Sequence, residues 1–186
     1  MKTFFTIFLS FCISITAISQ TKVGDVTISN TFKTTTGGLV LNGAGMREKY
    51  WLDMYVSALY LKQKNSDAAK IIAADETMAI HLHIVSGMIT SEKMTEAVDE
   101  GFTKSTNGNI APLQVKINQF KGIFKEKIKE GDVYDLVYES GKGTLIYKNS
   151  KLITTIPGID FKKALFGIWL CNQPADEDLK TAMLGK

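Results

Sequence analysis

Leu41–Leu61 reads LNGAGMREKYWLDMYVSALYL, and its interpretation decides the fold. It is a strand, a tight corner and a second strand, with one cation, Arg47, just after a Gly-Ala-Gly run. Side chains alternate along an extended chain, so Leu39, Leu41, Gly43, Gly45 and Arg47 are predicted to share one face. Glycine weakens a strand and leaves nothing to pack. Two on one face therefore imply close approach by a neighbouring aromatic, a bend in the sheet or a ligand. Arg47 ends that face with a permanent charge and a fork of N–H donors. Turned inward it must meet an anion. Turned outward it sits in water beside Glu48 or Asp53, a surface pair that contributes little.

The second strand sets Leu52, Met54, Val56, Ala58 and Tyr60 on one face and Asp53, Tyr55, Ser57, Leu59 and Leu61 on the other. A corner made of Glu48 and Lys49 places Arg47 opposite Tyr50, on the face of Tyr60. A corner that also takes in Tyr50 places it opposite Trp51, on the face of Tyr55. Neither carries the Asn-Gly or Asp-Gly signature that settles a hairpin register, so both stay open.

Upstream, residues 1–19 have a short basic start, an apolar run from Phe4 to Ile18 and a small-residue site at Ala17-Ile18-Ser19. That is the pattern of a secretory signal peptide, too short for a confident membrane span. Cys12 lies within it and has no small residues before it, so no lipid attachment is expected. The mature chain, residues 20–186, is expected to be one exported domain without stable membrane insertion, periplasmic in a Gram-negative host and otherwise secreted. Setting the signal aside removes only Lys2 from 22 basic and 19 acidic residues, which takes the net charge from +3 to +2. The lysines are scattered among acids, which argues against nucleic acid as a partner. Cys171 is the one cysteine left, so no internal disulfide is possible, and its apolar context predicts a buried, inert thiol.

Downstream the pattern alternates between short strands and helices. Val23–Ser29 reads as a first strand, with Gly37-Gly38 as a turn before the central pair. Ser66 or Asp67 can cap a helix through Ala74, Thr77–Val85 alternates as a strand, and Thr90 or Ser91 opens a helix to about Ser105. Pro112 starts a helix with the stripe Leu113, Ile117, Phe120, Phe124 and Ile128. A meander follows over 132–139, 144–148 and 151–156, with turns at Gly141-Lys142-Gly143 and Asn149-Ser150. Asp160 can cap a helix to about Leu170, and Asp176 a last one ending at Gly185. The fold class is α+β.

Catalytic signatures are missing. No nucleophile elbow, phosphate loop or dinucleotide fingerprint is present. His81 and His83 point the same way but lack a third good ligand, so no metal is expected, and no cofactor. Asp176-Glu177-Asp178 reads as a helix-start cluster complementing the dipole. Phe161, Leu165, Phe166, Trp169 and Leu170 read as core.

Three blocks carry a resemblance. They are Leu41-Asn42-Gly43-Ala44-Gly45-Met46-Arg47 followed by Tyr55-Val56-Ser57-Ala58-Leu59-Tyr60-Leu61, then Ile80-His81-Leu82-His83 leading into Ser91-Glu92-Lys93-Met94, and last Lys163–Leu170 with Pro174-Ala175-Asp176 and Leu179-Lys180. In order and spacing the set resembles the chalcone isomerase-like family, particularly its short exported bacterial branch. The resemblance implies an open-faced β-sandwich, an antiparallel sheet with helices packed over one side, enclosing a cleft for a flavonoid or a fatty acid. In the family's plant isomerases an arginine after Gly-Ala-Gly positions and polarises the substrate, and Arg47 matches it. The family's threonine on the next strand is matched by Tyr55, its tyrosine at the start of the following helix by Thr90, and an asparagine further along that helix by Ala97.

Keeping the arginine while losing those donors removes the network that steadies an enolate-like transition state. The related fatty-acid-binding members hold a carboxylate with the same arginine and a tyrosine, an arrangement that Arg47 and Tyr55 resemble. The expected function is then non-catalytic binding of a small apolar anion, fatty-acid-like or phenolic, with Arg47, Tyr55 and Thr90 as ligand-binding residues. The alternatives are an isomerase or intramolecular lyase acting on an unsaturated carbonyl compound through Arg47 and Tyr55, and a structural or interaction protein in which Arg47 only braces the sheet.

Overall fold

A computed structural model describes residues 20–186, and the expected signal peptide at 1–19 lies outside the described residues. A hairpin of β1 (Gln20–Val23) and β2 (Val26–Ser29) precedes the main sheet. The expected single strand over Val23–Ser29 is broken because Gly24 adopts φ 57°, turning the chain between the two.

The main sheet has seven antiparallel strands in sequence order: β3 (Thr31–Thr34), β4 (Gly37–Lys49), β5 (Leu52–Leu61), β6 (Met78–Ile84), β7 (Val133–Glu139), β8 (Gly143–Lys148) and β9 (Lys151–Ile156). Short connections between neighbours permit this, since antiparallel strands need only a turn. The β3–β4 turn is Thr35-Thr36, and the two glycines expected there already belong to β4. At the β8–β9 corner Asn149 and Ser150 both take positive φ, 49° and 66°, as a tight two-residue turn requires.

Helices α1 (Ala68–Ala73), α2 (Ser91–Ser105), α3 (Gln114–Lys121), α4 (Ile159–Leu170) and α5 (Glu177–Met183) complete the chain. Asp67, Thr90 and Asp176 cap α1, α2 and α5 through their side chains, as their residue types suggest. Two expectations shift. Gly158 at φ 100° takes the N-cap of α4, which moves Asp160 into the first turn. The helix after Pro112 begins and ends as 3-10 turns, Ala111–Leu113 and Gly122–Phe124, so Ile128 is buried beyond the helix and not on it. Cys171, expected to be buried, is the C-cap of α4 and partly exposed.

The sheet is apolar on both faces. On the helix side Leu59, Ile80, Ile84, Leu136 and Ile146 pack with Phe102, Phe120, Phe124, Phe161 and Phe166. On the other side Leu39, Leu41, Val56, Ala58 and Tyr60 pack under Val26 and Ile28 of the first hairpin. The layers agree with the expected α+β open-faced sandwich: a curled antiparallel sheet with its helices over one side.

One expectation about β4 is overturned. Leu41 pairs with Tyr60 but Gly43 with Leu59, so Asn42 is an extra, bulged residue. Leu39 and Leu41 therefore face the hairpin side, whereas Gly43, Gly45 and Arg47 face the helices. The bulge is held by its own amide: Asn42 Nδ2 donates to Met183 O at 2.8 Å, and Oδ1 accepts from Asn65 N at 2.8 Å.

Candidate functional site

The two glycines make room for α5. A Cβ built on Gly43 would lie 2.0 Å from Ala182 O and 2.9 Å from Met183 O, and one on Gly45 would lie 2.7 Å from Ala182 Cβ. The close approach expected at these positions is thus a helix backbone, and neither an aromatic nor a ligand. Docked there, α5 brings its N-cap to Arg47. Asp176 Oδ1 accepts from Leu179 N at 2.9 Å, and Oδ2 accepts from Arg47 Nη1 at 2.9 Å.

Arg47 is turned inward, and its side chain is 19% exposed. It sits directly opposite Tyr55, although neither of the expected corners forms. The turn is Tyr50-Trp51, with Lys49 opposite Leu52 and Glu48 opposite Asp53. Met54 is then the extra residue of a second bulge, which returns Tyr55 to the face of Arg47. Tyr60 is on the other face, donating to Ser29 O at 2.8 Å.

Trp169 Nε1 donates to Tyr55 Oη at 3.0 Å. An indole N–H is a donor only, so the phenol accepts in that bond and its own proton is left to donate elsewhere. Arg47 donates to Glu48 O at 3.0 Å as well as to Asp176, both times through Nη1. The guanidinium lines the cleft and lies within reach of the Tyr55 hydroxyl. Burial pushes the Tyr55 phenol above its ordinary pKa. The Arg47 charge pulls it back, and the Asp176 charge pushes in the same direction as burial. Tyr55 is therefore a protonated donor at neutral pH.

Arg47, Tyr55 and Trp169 line a cleft of about 390 Å³ between the β4–β5 end of the sheet and helices α2 and α4. Buried Leu82, Val98, Phe120, Phe124 and Ile168 supply its apolar lining. Its rim carries Lys49, Tyr50, Leu52, Met88, Lys93 and Glu96. An apolar slot with a guanidinium and a phenol converging at one place suits a ligand that is mostly hydrocarbon with one oxygen-bearing end.

The expected trio is split. Arg47 and Tyr55 meet, but Thr90 is not among the lining residues. Its exposed hydroxyl accepts from Lys93 N at 3.2 Å as the cap of α2. Ala97 does line the cleft, where it offers only a methyl group. Trp169, a lining residue, and Asp176, which pairs with Arg47 without itself lining the cleft, join the polar cluster although the sequence suggested only core and cap. Core and cap they are, and the added roles come from an indole N–H and a second carboxylate oxygen.

The opposite face carries His81, whose Nδ1 is 2.7 Å from Asp135 Oδ1 in a depression of about 470 Å³. Among the described residues no group of three or more His, Cys, Asp or Glu is arranged to hold a metal ion. Nor is any described helix long and apolar enough to cross a membrane.

Residues 20–185 match the family described as chalcone isomerase-like. No curated protein matches the chain significantly. Among solved structures, it resembles a fatty-acid binding protein of Arabidopsis thaliana with a TM-score of 0.68 and 17% sequence identity, over 86% of this chain and 92% of the other.

Proposed function

The chain belongs to the chalcone isomerase-like family, and from that premise we propose that it is an exported, non-catalytic binding protein for an apolar carboxylate such as a fatty acid. The hydrocarbon lies along the cleft and the carboxylate meets Arg47 and Tyr55. The observation that carries this reading is the Tyr55 hydroxyl. It is fixed by Trp169 as an acceptor, and its own proton is left to donate beside a guanidinium at the end of an apolar slot. The likeness to a protein named for fatty-acid binding agrees with it. Turnover is disfavoured because the positions that would supply further donors hold Ala97 and an outward Thr90.

The test is calorimetric titration of the purified protein with long-chain fatty acids. Arg47→Ala is expected to weaken binding by at least about tenfold, the scale of one charge-assisted contact. Equal binding by both proteins, or none by either, removes the proposal. Export is tested separately by N-terminal sequencing of the secreted form, expected to begin at Gln20.

The Arg47–Asp176 pair at 2.9 Å favours a second reading, in which Arg47 only braces α5 against the sheet. Arg47→Ala would then lower the melting temperature and leave ligand titrations untouched.

A further inference from the structure

We infer that Asp176 is a built-in competitor for Arg47, a specificity-determining residue that sets how strongly the cleft takes a charged head group over an uncharged one. This rests on the carboxylate-binding reading and adds to it a residue on the protein's own side of the exchange.

Arg47 already has an anion. Asp176 Oδ2 stands 2.9 Å from Nη1, and the two side chains are only 19% and 16% exposed, so water screens the pair poorly. Nor is the carboxylate at liberty to swing away, because Oδ1 is held by Leu179 N at 2.9 Å as the N-cap of α5. That helix is seated on Gly43 and Gly45, where no space remains between backbones. The cap position, and not the guanidinium, fixes where this negative charge sits.

A ligand carboxylate that reaches Arg47 and Tyr55 therefore brings a further negative charge up to one that cannot move away. Like charges at such range in a partly dry site repel appreciably. An alcohol or ester of the same chain length still accepts from Tyr55 and Arg47 but meets no such repulsion. Asp176 thus trades carboxylate affinity for a guanidinium that is neutralised when the cleft holds no ligand.

Asp176→Asn tests this without disturbing the helix, because Asn is as good an N-cap as Asp. Wild type and variant are titrated with dodecanoic acid and with dodecan-1-ol. The variant is expected to bind the acid about tenfold more tightly, while its affinity for the alcohol moves by less than about threefold. Asp176→Ser keeps a capping oxygen and loses the charge. It is expected to show the same selective gain, which guards against one variant folding badly. Affinities for acid and alcohol that shift together, or a variant that binds the acid no more tightly, overturn the inference and leave the carboxylate-binding reading standing. Failure of the acid to bind any of the three proteins overturns both.

Discussion

At the scale of single residues, Tyr50 and Trp51 hold the two turn positions that hairpins usually give to Asn and Gly. Both have left-handed backbones, φ 54° and 60°, and they are 78% and 95% exposed. An L-residue in that region costs roughly 1–2 kcal/mol, and so exposed a side chain returns little of it. Replacing the pair by Asn-Gly is expected to stabilise the protein by about 1–3 kcal/mol, seen as a higher melting temperature. A lower one would mean that the aromatics hold the rim of the cleft together. This turn was illegible in the sequence because its residues contradict the turn chemistry that marks such corners. The pairing of Arg47 with Tyr55 emerged all the same, since a bulge at Met54 compensates for a turn placed further along than either register allowed. The partner of Arg47 was beyond reach: Asp176 lies 129 positions away, and an N-cap signature says nothing about its second oxygen.

At the scale of elements, the decisive contact is β4 against α5. The glycines of β4 announced that something approaches closely but could not say what, because a helix, a ring and a ligand all need the same missing Cβ. Gly43→Ala drives a methyl group into the carbonyls of Ala182 and Met183, which cannot move unless α5 lifts. A loss of at least about 2 kcal/mol is expected in urea denaturation. Gly38→Ala in the same strand, with nothing within 4 Å of the added carbon, is the control and is expected to be near neutral. If both substitutions cost the same, the close packing of α5 is not what the glycine serves. Helices α1, α2 and α5 were readable from their caps, whereas Gly158 took the start of α4 in place of Asp160. Strands β5 to β9 were readable from alternation, whereas β3 and the break at Gly24 were not, and the extra residue at Asn42 exchanged the faces of β4 partway along.

At the scale of the whole molecule, a lysine is wholly inside. Lys162 Nζ donates to Ile71 O at 2.7 Å, Ile72 O at 3.0 Å and Ala74 O at 2.8 Å, closing the C-terminal end of α1 onto α4. Nothing in its helical stripe distinguished it from a solvated lysine. Burial, helped by the neighbouring Lys163 charge, pulls this ammonium down from 10.5 to about 8. The folded protein thus gives up the proton before the unfolded chain does, so the unfolded state binds more protons between about pH 8 and 10.5 and stability rises with pH there. Tyr60 and Tyr138, held up at about 12 chiefly by burial, act in the opposite sense only above the ordinary tyrosine range. Chemical denaturation from about pH 7.5 to 9.5 is expected to show stability climbing in the wild type, with a slope approaching about 1 kcal/mol per pH unit. Lys162→Met is expected to be flat over that range and less stable at pH 7, with three carbonyls left without their donor. A wild-type profile that is already flat would mean that the ammonium keeps its proton throughout.

The bulge at Asn42 leaves the Arg47 wall of the cleft a single codon from being turned inside out. Removing that codon would carry Gly43, Gly45 and Arg47 together to the side now covered by the first hairpin, and the guanidinium would be stranded on the wrong wall. Deleting Asn42 should therefore be tolerated far less well than a substitution at an open position of the same strand, such as Gly38→Ala.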